Sequence, residues 1–559
     1  MWLVAPLLSS LLLAPSSHDG VEVAELVLKN GNVFTLDAGR PRAQALAARD
    51  GRLVAIGADR DMAAYIGEGT RVIDLDGALA IPGFIEGHGH FMGIGSAKLQ
   101  LDLMNVANWA EIVALVESAV QEAKPGEVIR GRGWHQEKWD ELPADAVKGL
   151  PIHHALSAVS PDNPVVLTHA SGHACFVNAK VMEICQIAGD TEPPDGGQIV
   201  CDAQGQPIGM LRETAQSLTR RLDFSSARPD ARRLALLAQE ECLRKGITSF
   251  QDAGSSFSTV DALKGLVDSG ELKIRLWVML RVSNDSLRKR LPGSLLIGHG
   301  DHRLTCRSIK RSIDGALGPH GAWLMAAYED MPESSGLNTA PVPSVEETAR
   351  LALDHGFQLC VHAIGDRANH EVLNIFERTF AGVGNPAALR WRIEHAQHIH
   401  PGDVPRFGQM GVIASMQGVH CTSDAIYVLQ RLGELRSRTG AYVWRDLLRT
   451  GAVVINGTDA PVEDVDPIAS YHATVSRRLK DGSVFFPEQR MTRTEALRSY
   501  TLDAAYAAFE EDLKGSLSVG KLADVTVLSR DILTCDESDI RDAEVLYTVV
   551  GGEVLYRRN

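Results

Sequence analysis

The chain lacks any Cys-x-x-Cys pair, and it lacks an apolar run long enough to cross a bilayer. Its 8 cysteines are scattered, at Cys175, Cys185, Cys201, Cys242, Cys306, Cys360, Cys421 and Cys535. That spacing excludes a structural zinc knuckle and a dithiol redox motif, and it argues against a disulfide framework. Cys306 and Cys360 sit within apolar runs and read as small core residues. Positive charge is also scarce: 56 Lys and Arg stand against 71 Asp and Glu, a net charge of −15. Nucleic acid and membrane are therefore not expected as partners. There are no internal repeats and no low-complexity tract. The run from Trp2 to Ala14, followed by Pro15-Ser16-Ser17, has the apolar core and small-residue exit of a signal peptide. It lacks the positive n-region and a clean Ala-x-Ala site. Residues 1–20 are set apart as a signal peptide or a disordered leader. The first reading implies a periplasmic or secreted protein, the second a cytoplasmic one.

What is present is a chain of 559 residues, 45% apolar and 23% charged, enough for a large soluble barrel and a smaller domain. Short strand-like runs open it: Ala24 to Lys29, Asn32 to Leu36 after Asn30-Gly31, and Arg52 to Ile56 after Asp50-Gly51, both hairpin signals. The end is alike, with Ala523 to Leu528, Val545 to Val550, a Gly551-Gly552 turn and Glu553 to Tyr556. Residues 21–80 and 485–559 are expected to share one small β-sandwich domain. Between them lie eight buried-looking strands: Ile81 to Ile85, Gly246 to Phe250, Lys273 to Leu280, Arg303 to Ile313, Phe357 to Val361, Trp391 to Glu394, Val412 to Met416 and Ala452 to Ile455. Helix-length amphipathic segments such as Ser344 to His355 separate most of them. Eight strands alternating with helices predict an α/β fold, a (β/α)₈ TIM barrel over residues 81–484. The gap between strands one and two is too long for one βα unit, so an inserted subdomain is expected at about 100–245.

Chemistry is concentrated at the predicted strand ends. In Pro82-Gly83-Phe84-Ile85-Glu86-Gly87-His88-Gly89-His90, an apolar strand runs into two histidines one residue apart. In extended backbone these point the same way, so both imidazoles can reach one metal at the C-terminal mouth of a barrel. His362 ends the fifth strand, His395 the sixth, and Asp459 follows the eighth. Imidazole nitrogen and carboxylate oxygen suit zinc, and also iron, nickel or manganese. Lys310 lies on the fourth strand. It either neutralises a buried carboxylate such as Asp314 or, carbamylated by carbon dioxide, bridges two metals. A bare ammonium beside divalent cations would be repelled.

This order of His-x-His, Lys, His, His and Asp resembles the amidohydrolase superfamily. Finer motifs resemble its family 3, the branch that includes N-substituted formamide deformylase. They are Gly133-Trp134, Ser171-Gly172-His173-Ala174 with Asn178, Gly197-Gln198-Ile199, Asp314-Gly315-Ala316-Leu317-Gly318, His362 to Ala368, Arg392 to Gln397 and Asp459-Ala460-Pro461-Val462. Lys514 to Leu517 and Gly520 to Asp524 are similar to the closing β-domain motif of the superfamily. Three positions depart from the family pattern. Ser171 stands where Asp is usual, Pro319-His320-Gly321 replaces a segment that begins Ser-Arg, and Gly418 replaces a proline after Gln417.

The resemblance implies a metal-dependent amidohydrolase that cleaves an amide or N-formyl C–N bond of a small-molecule substrate. It implies two zinc ions per chain. His88, His90 and Asp459 would hold one, His362 and His395 the other, and N6-carboxylysine at Lys310 would bridge them. Asp459 would shuttle the proton. His173, His420 and Gln417 are candidates for stabilising the oxyanion, for orienting substrate, or for hydrogen bonding to the ligands. Trp134, His135 and Trp139 are candidates for an apolar lid or for packing within the insertion. The alternatives are a mononuclear deaminase of the same superfamily, a lactone or ester hydrolase, and a non-catalytic binding barrel. A homo-oligomer stays open.

Overall fold

The computed structural model describes residues 22–222 and 230–559. The leader reading of residues 1–20 lies outside them. Eight parallel strands form the barrel in sequential order: Phe84–Gly89, Ile247–Ser255, Arg275–Leu280, Leu304–Ser312, Gln358–Ala363, Arg392–His395, Ile413–Gln417 and Val454–Gly457. Strands such as Arg275–Leu280 are buried along their whole length. That burial on both faces explains why they read as unbroken apolar runs rather than alternating ones. The ladder register sets Lys310 beside Cys360, His362 beside Glu394, and Ala363 beside His395.

The barrel seam lies between strands one and eight. There Asp459 N–H donates to His88 O at 2.8 Å and His90 N–H donates to Ala460 O at 2.7 Å. The two backbones approach closely enough that a Cβ on Gly87 would lie 2.4 Å from Asn456 O, and one on Gly457 2.6 Å from His88 N. Glycine is required on both sides of the join. Glu86 is wholly buried at this seam and accepts the Thr458 hydroxyl at 3.0 Å. Burial pushes its carboxyl up to about 8.

Strand one begins as another strand. Leu79–Pro82 pairs with Asn32–Phe34 and Val525–Leu528 in the small domain, and Phe84–Gly89 pairs with Ile247–Ser255 in the barrel. Gly83 makes the change of sheet, because a Cβ there would lie 2.2 Å from Thr248 Oγ1. The small domain is two sheets. One holds Arg52–Gly57, Ala45–Arg49, Leu26–Lys29 and Arg71–Asp74; the other holds Glu553–Arg557, Val545–Val550, Val525–Leu528, Leu79–Pro82, Asn32–Phe34 and Arg42–Ala43. Leu26, Leu28 and Leu46 of the first sheet meet Val525, Val527 and Val549 of the second in a shared core.

Asp50 (φ 49°) and Gly51 (φ 73°) make a tight antiparallel turn between Ala45–Arg49 and Arg52–Gly57. Asn30-Gly31 does not. It sends Leu26–Lys29 and Asn32–Phe34 into opposite sheets, so the hairpin read from that dipeptide is a sheet-to-sheet corner. Three helices lie elsewhere than the sequence placed them. Arg493–Ser499 and Leu502–Ala507, assigned to the small domain, pack on the barrel, where Ala504, Ala505 and Ala507 close its floor against Ile85, Ile413 and Ile455. Ala231–Arg244, assigned to the insertion, lies in the barrel's helical layer and shares a core with Phe91 and Ile94. The insertion itself is a six-stranded sheet in the order Gly197–Cys201, Pro207–Glu213, Ala174–Val177, Val165–His169, Ile129–Trp134, Leu101–Asp102. It has its own core around Trp109, Ile112, Trp134 and Phe176. Among the described residues, no helix is long and apolar enough to cross a membrane.

Candidate metal centre

The barrel brings the sequence-predicted ligands to one mouth. His88 and His90 leave strand one, and both reach Asp459 Oδ1, from their Nε2 atoms at 3.4 and 3.2 Å. The ligand atoms of these three residues lie within 4.8 Å of one another. The ring of His395 lies 4.8 Å from that of His88 and 4.5 Å from that of His362. Lys310 Nζ stands 3.3 Å from His88 Nε2. His88, Lys310, His362, His395 and Asp459 are buried, and His90 is partly open to a cavity of about 670 Å³. His395 (φ 74°) and Asp459 (φ 57°) adopt left-handed backbone, a conformation that costs about 1–3 kcal/mol per residue and gathers at functional sites.

Outer partners fix which imidazole nitrogen faces inward. His88 Nδ1 meets Glu394 Oε2, and His395 Nδ1 meets Gln417 Oε1 at 2.7 Å. Gln417 thus positions a histidine, the last of the three roles the sequence left open for it. Burial and the neighbouring cations hold His362 and His395 far below the usual imidazole pKa, and burial lowers His90 as well. These histidines are therefore neutral, the form that ligates metal. Burial opposes ionisation of Asp459, but its contacts with His88 and His90 prevail and hold its carboxyl well below the usual range.

The residues fit a metal. His362 Nε2 and Asp459 Oδ1 are buried and make no well-formed hydrogen bond, only the contacts to His88 and His90 already given and one of 3.3 Å from His362 to Asp314 Oδ1, and buried polar atoms so poorly satisfied are costly unless something coordinates them. Lys310 is the odd charge. Asp314 does not neutralise it, because Asp314 accepts the N–H groups of Ile364, Gly365 and Trp323 at 3.0, 2.8 and 3.0 Å. Among the described residues no carboxylate lies within ion-pairing distance of Lys310; burial brings its ammonium down to about 8 against the longer-range attraction of Glu394 and Asp459.

Two further candidates stand close by. The His173 ring lies 5.0 Å from that of His362, and its Nδ1 meets Glu213 Oε2 at 2.8 Å. Burial opposes its protonation, but Glu213 outweighs burial and raises its pKa. His420 stacks 6.4 Å from His395 with its Nε2 buried and unpartnered. Trp134 does not reach the mouth. It is fully buried in the core of the insertion and donates to Leu167 O at 2.9 Å, so of the three lid candidates only His135 borders the catalytic side, in a small cavity shared with His395 and His420. Sequence reasoning missed Glu394, Glu213 and two arginines of the large cavity, Arg132 and Arg281. Glu394 was in view as the neighbour of His395 in Arg392 to Gln397. The others had no local signal.

An eight-stranded parallel barrel with histidines and an aspartate gathered at its C-terminal mouth defines a metal-dependent hydrolase. The chain belongs to the amidohydrolase family, whose profile matches residues 71–556. It is 34% identical over 550 residues to Protein LONG AFTER FAR-RED 3 of Arabidopsis thaliana, spanning 96% of this chain and 92% of that one. It is 26% identical over 564 residues to N-substituted formamide deformylase of Arthrobacter pascens, spanning 96% and 99%. Among solved structures, an uncharacterized metal-dependent hydrolase from Pyrococcus horikoshii matches with a TM-score of 0.73 and 26% identity, over 92% of this chain and 99% of that one.

Proposed function

We propose that this chain hydrolyses a C–N bond of the amide or N-formyl type in a small molecule. The observation that carries the reading is Lys310, buried at the mouth without a carboxylate partner among the described residues and facing His88 Nε2 at 3.3 Å. An unpaired buried ammonium is costly. Conversion to N6-carboxylysine replaces it with an anion that suits two divalent metals, with zinc the natural choice for this donor set. His88, His90 and Asp459 would hold one ion, His362 and His395 the other, with modified Lys310 between them. When bound, the metals supply Lewis acidity and a water acidified towards neutrality.

The chain's own residues do the rest. Asp459 takes the proton of the attacking water and returns it to the leaving nitrogen. His173, held by Glu213, and His420, with its free Nε2, face the position where an oxyanion develops and donate to it. Glu394 and Gln417 keep His88 and His395 in the correct tautomer. The N-formyl assignment is supported by the named activity of the Arthrobacter relative; the same site chemistry would also open a lactone or ester.

A mononuclear centre is the second reading. It is favoured by the tight cluster of His88, His90 and Asp459, which no other described group of ligands matches. The test is metal content per chain by inductively coupled plasma mass spectrometry on protein grown with bicarbonate, together with a screen of N-formyl and amide compounds. Two metals and amide turnover support the binuclear hydrolase. One metal with ammonia release from an amidine favours the deaminase-like reading, and no turnover on any amide or N-formyl compound overturns the assignment.

A further inference from the structure

The chain carries a net charge of −15, yet the cavity of about 670 Å³ at the barrel mouth is walled by Arg130, Arg132, Arg281 and Arg311 together with His90 and Lys310 of the metal centre. Arg311 is occupied structurally, through Val282 O, Asn284 Oδ1 and Thr348 Oγ1. Arg132 and Arg281 differ. Arg132 reaches in from the insertion strand Ile129–Trp134 and donates to two carbonyl oxygens, Pro461 O at 3.1 Å and Ala170 O at 3.2 Å. Arg281 follows the third barrel strand, and its side chain makes one hydrogen bond, to Ser312 Oγ at 3.2 Å. Each is anchored two residues beyond a metal-site residue, Pro461 after Asp459 and Ser312 after Lys310. Neither has a carboxylate within ion-pairing distance among the described residues.

Backbone is shaped around Arg281. Gly254, with φ 143°, leaves room for the Arg281 stem, since a Cβ there would lie 2.8 Å from Arg281 Cδ. Gly172, with φ 72°, lies against the Arg132 guanidinium, where a Cβ would come within 3.6 Å of Nη2. Of the two carboxylates that line the cavity, Asp314 is spent on backbone N–H groups and Glu213 holds His173 through Oε2, and among the described residues neither lies within ion-pairing distance of Arg132 or Arg281. Burial lowers both guanidinium pKa values, Arg132 to about 10, and both stay cationic at neutral pH. A guanidinium offers five N–H donors in a planar fork that matches a carboxylate. Two such forks, from different elements, face one cavity beside the reacting centre; Asp459 acts on both from beyond ion-pairing distance, and no described carboxylate meets either fork directly.

We propose that the substrate is an acidic amide, an N-acyl or N-formyl compound carrying a carboxylate that docks between Arg132 and Arg281 while its C–N bond lies at the metal centre. This rests on the hydrolase reading above and adds the charge of the substrate to it.

The test uses metal-loaded full-length protein and a panel of N-formyl and N-acetyl amino acids, each paired with its carboxamide. Binding is measured by isothermal titration calorimetry, and hydrolysis is followed on the same pairs. The acid should bind at least about tenfold tighter than its amide, the scale of one charge-assisted hydrogen-bonded contact. Arg281→Gln and, separately, Arg132→Gln should each bring the acid-to-amide affinity ratio towards one. Unchanged melting temperatures identify the folded variants, and either variant suffices. Equal binding of acid and amide overturns the proposal. So does a preference for acid that survives both substitutions, which would assign the carboxylate to the metals, and so does failure of every acid in the panel to bind. Hydrolysis separates the two readings. Charge-dependent binding without turnover of any pair sinks the hydrolase assignment and leaves the anion site standing. Turnover indifferent to the carboxylate sinks the anion site alone.

Discussion

Arg392 Nη2 donates to Glu394 Oε2 at 3.0 Å, and the same carboxylate oxygen receives His88 Nδ1. The chain thereby grips one imidazole through two buried charges that never touch the cavity. Burial opposes ionisation of Glu394, but Arg392 and His88 overcome it and hold the carboxyl far below its usual range. It is an anion at every working pH.

Glu394→Gln keeps the shape and removes that charge. Metal affinity is expected to fall about 10–100-fold, the usual cost of losing such an outer partner. Competition with a chelator, read by residual metal per chain, checks it. Unchanged affinity would show that Arg392 and Glu394 serve packing alone.

Asp459→Asn retains volume and backbone but cannot carry a proton. Turnover should drop by at least about 10²-fold, the scale of lost general acid–base help, while circular dichroism and melting stay near those of the parent. Full activity in this variant would end the proposed proton route.

Lys310→Ala removes the bridging candidate. Metal content should fall from two per chain towards one, and supplying bicarbonate during growth should raise occupancy in the parent but not in the variant. Equal occupancy with and without Lys310 would leave the mononuclear reading in place.

Arg275 joins barrel and sandwich through a two-pronged pair to Asp524, at 2.8 and 3.0 Å, and Gly551 N–H donates to the same carboxylate at 2.8 Å. Burial opposes ionisation of Asp524, but Arg275 and Gly551 prevail and hold its pKa below the ordinary 3.8. The stabilisation is fully present above the ordinary carboxylate pKa and is lost as pH falls through the lower, folded value. Asp524→Ala should cost about 3–5 kcal/mol, because it strands a buried guanidinium. It should also flatten the acid limb of a stability profile measured by denaturant titration.

Gly83→Val tests the corner between the two sheets. A Cβ there meets Thr248 Oγ1 at 2.2 Å, so the variant is expected to lose about 1–3 kcal/mol by overpacking. Adding Thr248→Gly should recover part of it, and no recovery would place the strain elsewhere.

The barrel was legible because strands buried on both faces leave continuous apolar runs, and because Lys310, His362 and His395 stand within or at the end of such runs. The insertion announced itself only as excess length between strands one and two. The polar partners were not legible. His173 and Glu213 are 40 residues apart and His88 and Glu394 306 apart, and no period in the chain marks such pairs. Asn30-Gly31 shows the opposite failure, a strong local signal overruled by the two-sheet core. The helices after residue 485 were given to the small domain because the sequence shows no boundary there. Their alanines are small enough to plug the barrel floor, and that is a property of packing.

A chain under synthesis meets the corner at Gly83 in a particular order. His88 and His90 leave the ribosome early, on a strand that grows directly out of Leu79–Pro82. The neighbour that pins Leu79–Pro82, Val525–Leu528, emerges almost last, after Asp459. Until Val454–Gly457 and Asp459 are made, the two histidines face a mouth whose seam is missing, and until Val525–Leu528 follows, the root of the first barrel strand keeps an unpaired sheet edge. The candidate ligand set is therefore complete only once Asp459 follows the eighth strand, and a shorter chain presents His88 and His90 on an open sheet edge, the kind of surface that makes partly folded chains prone to aggregate.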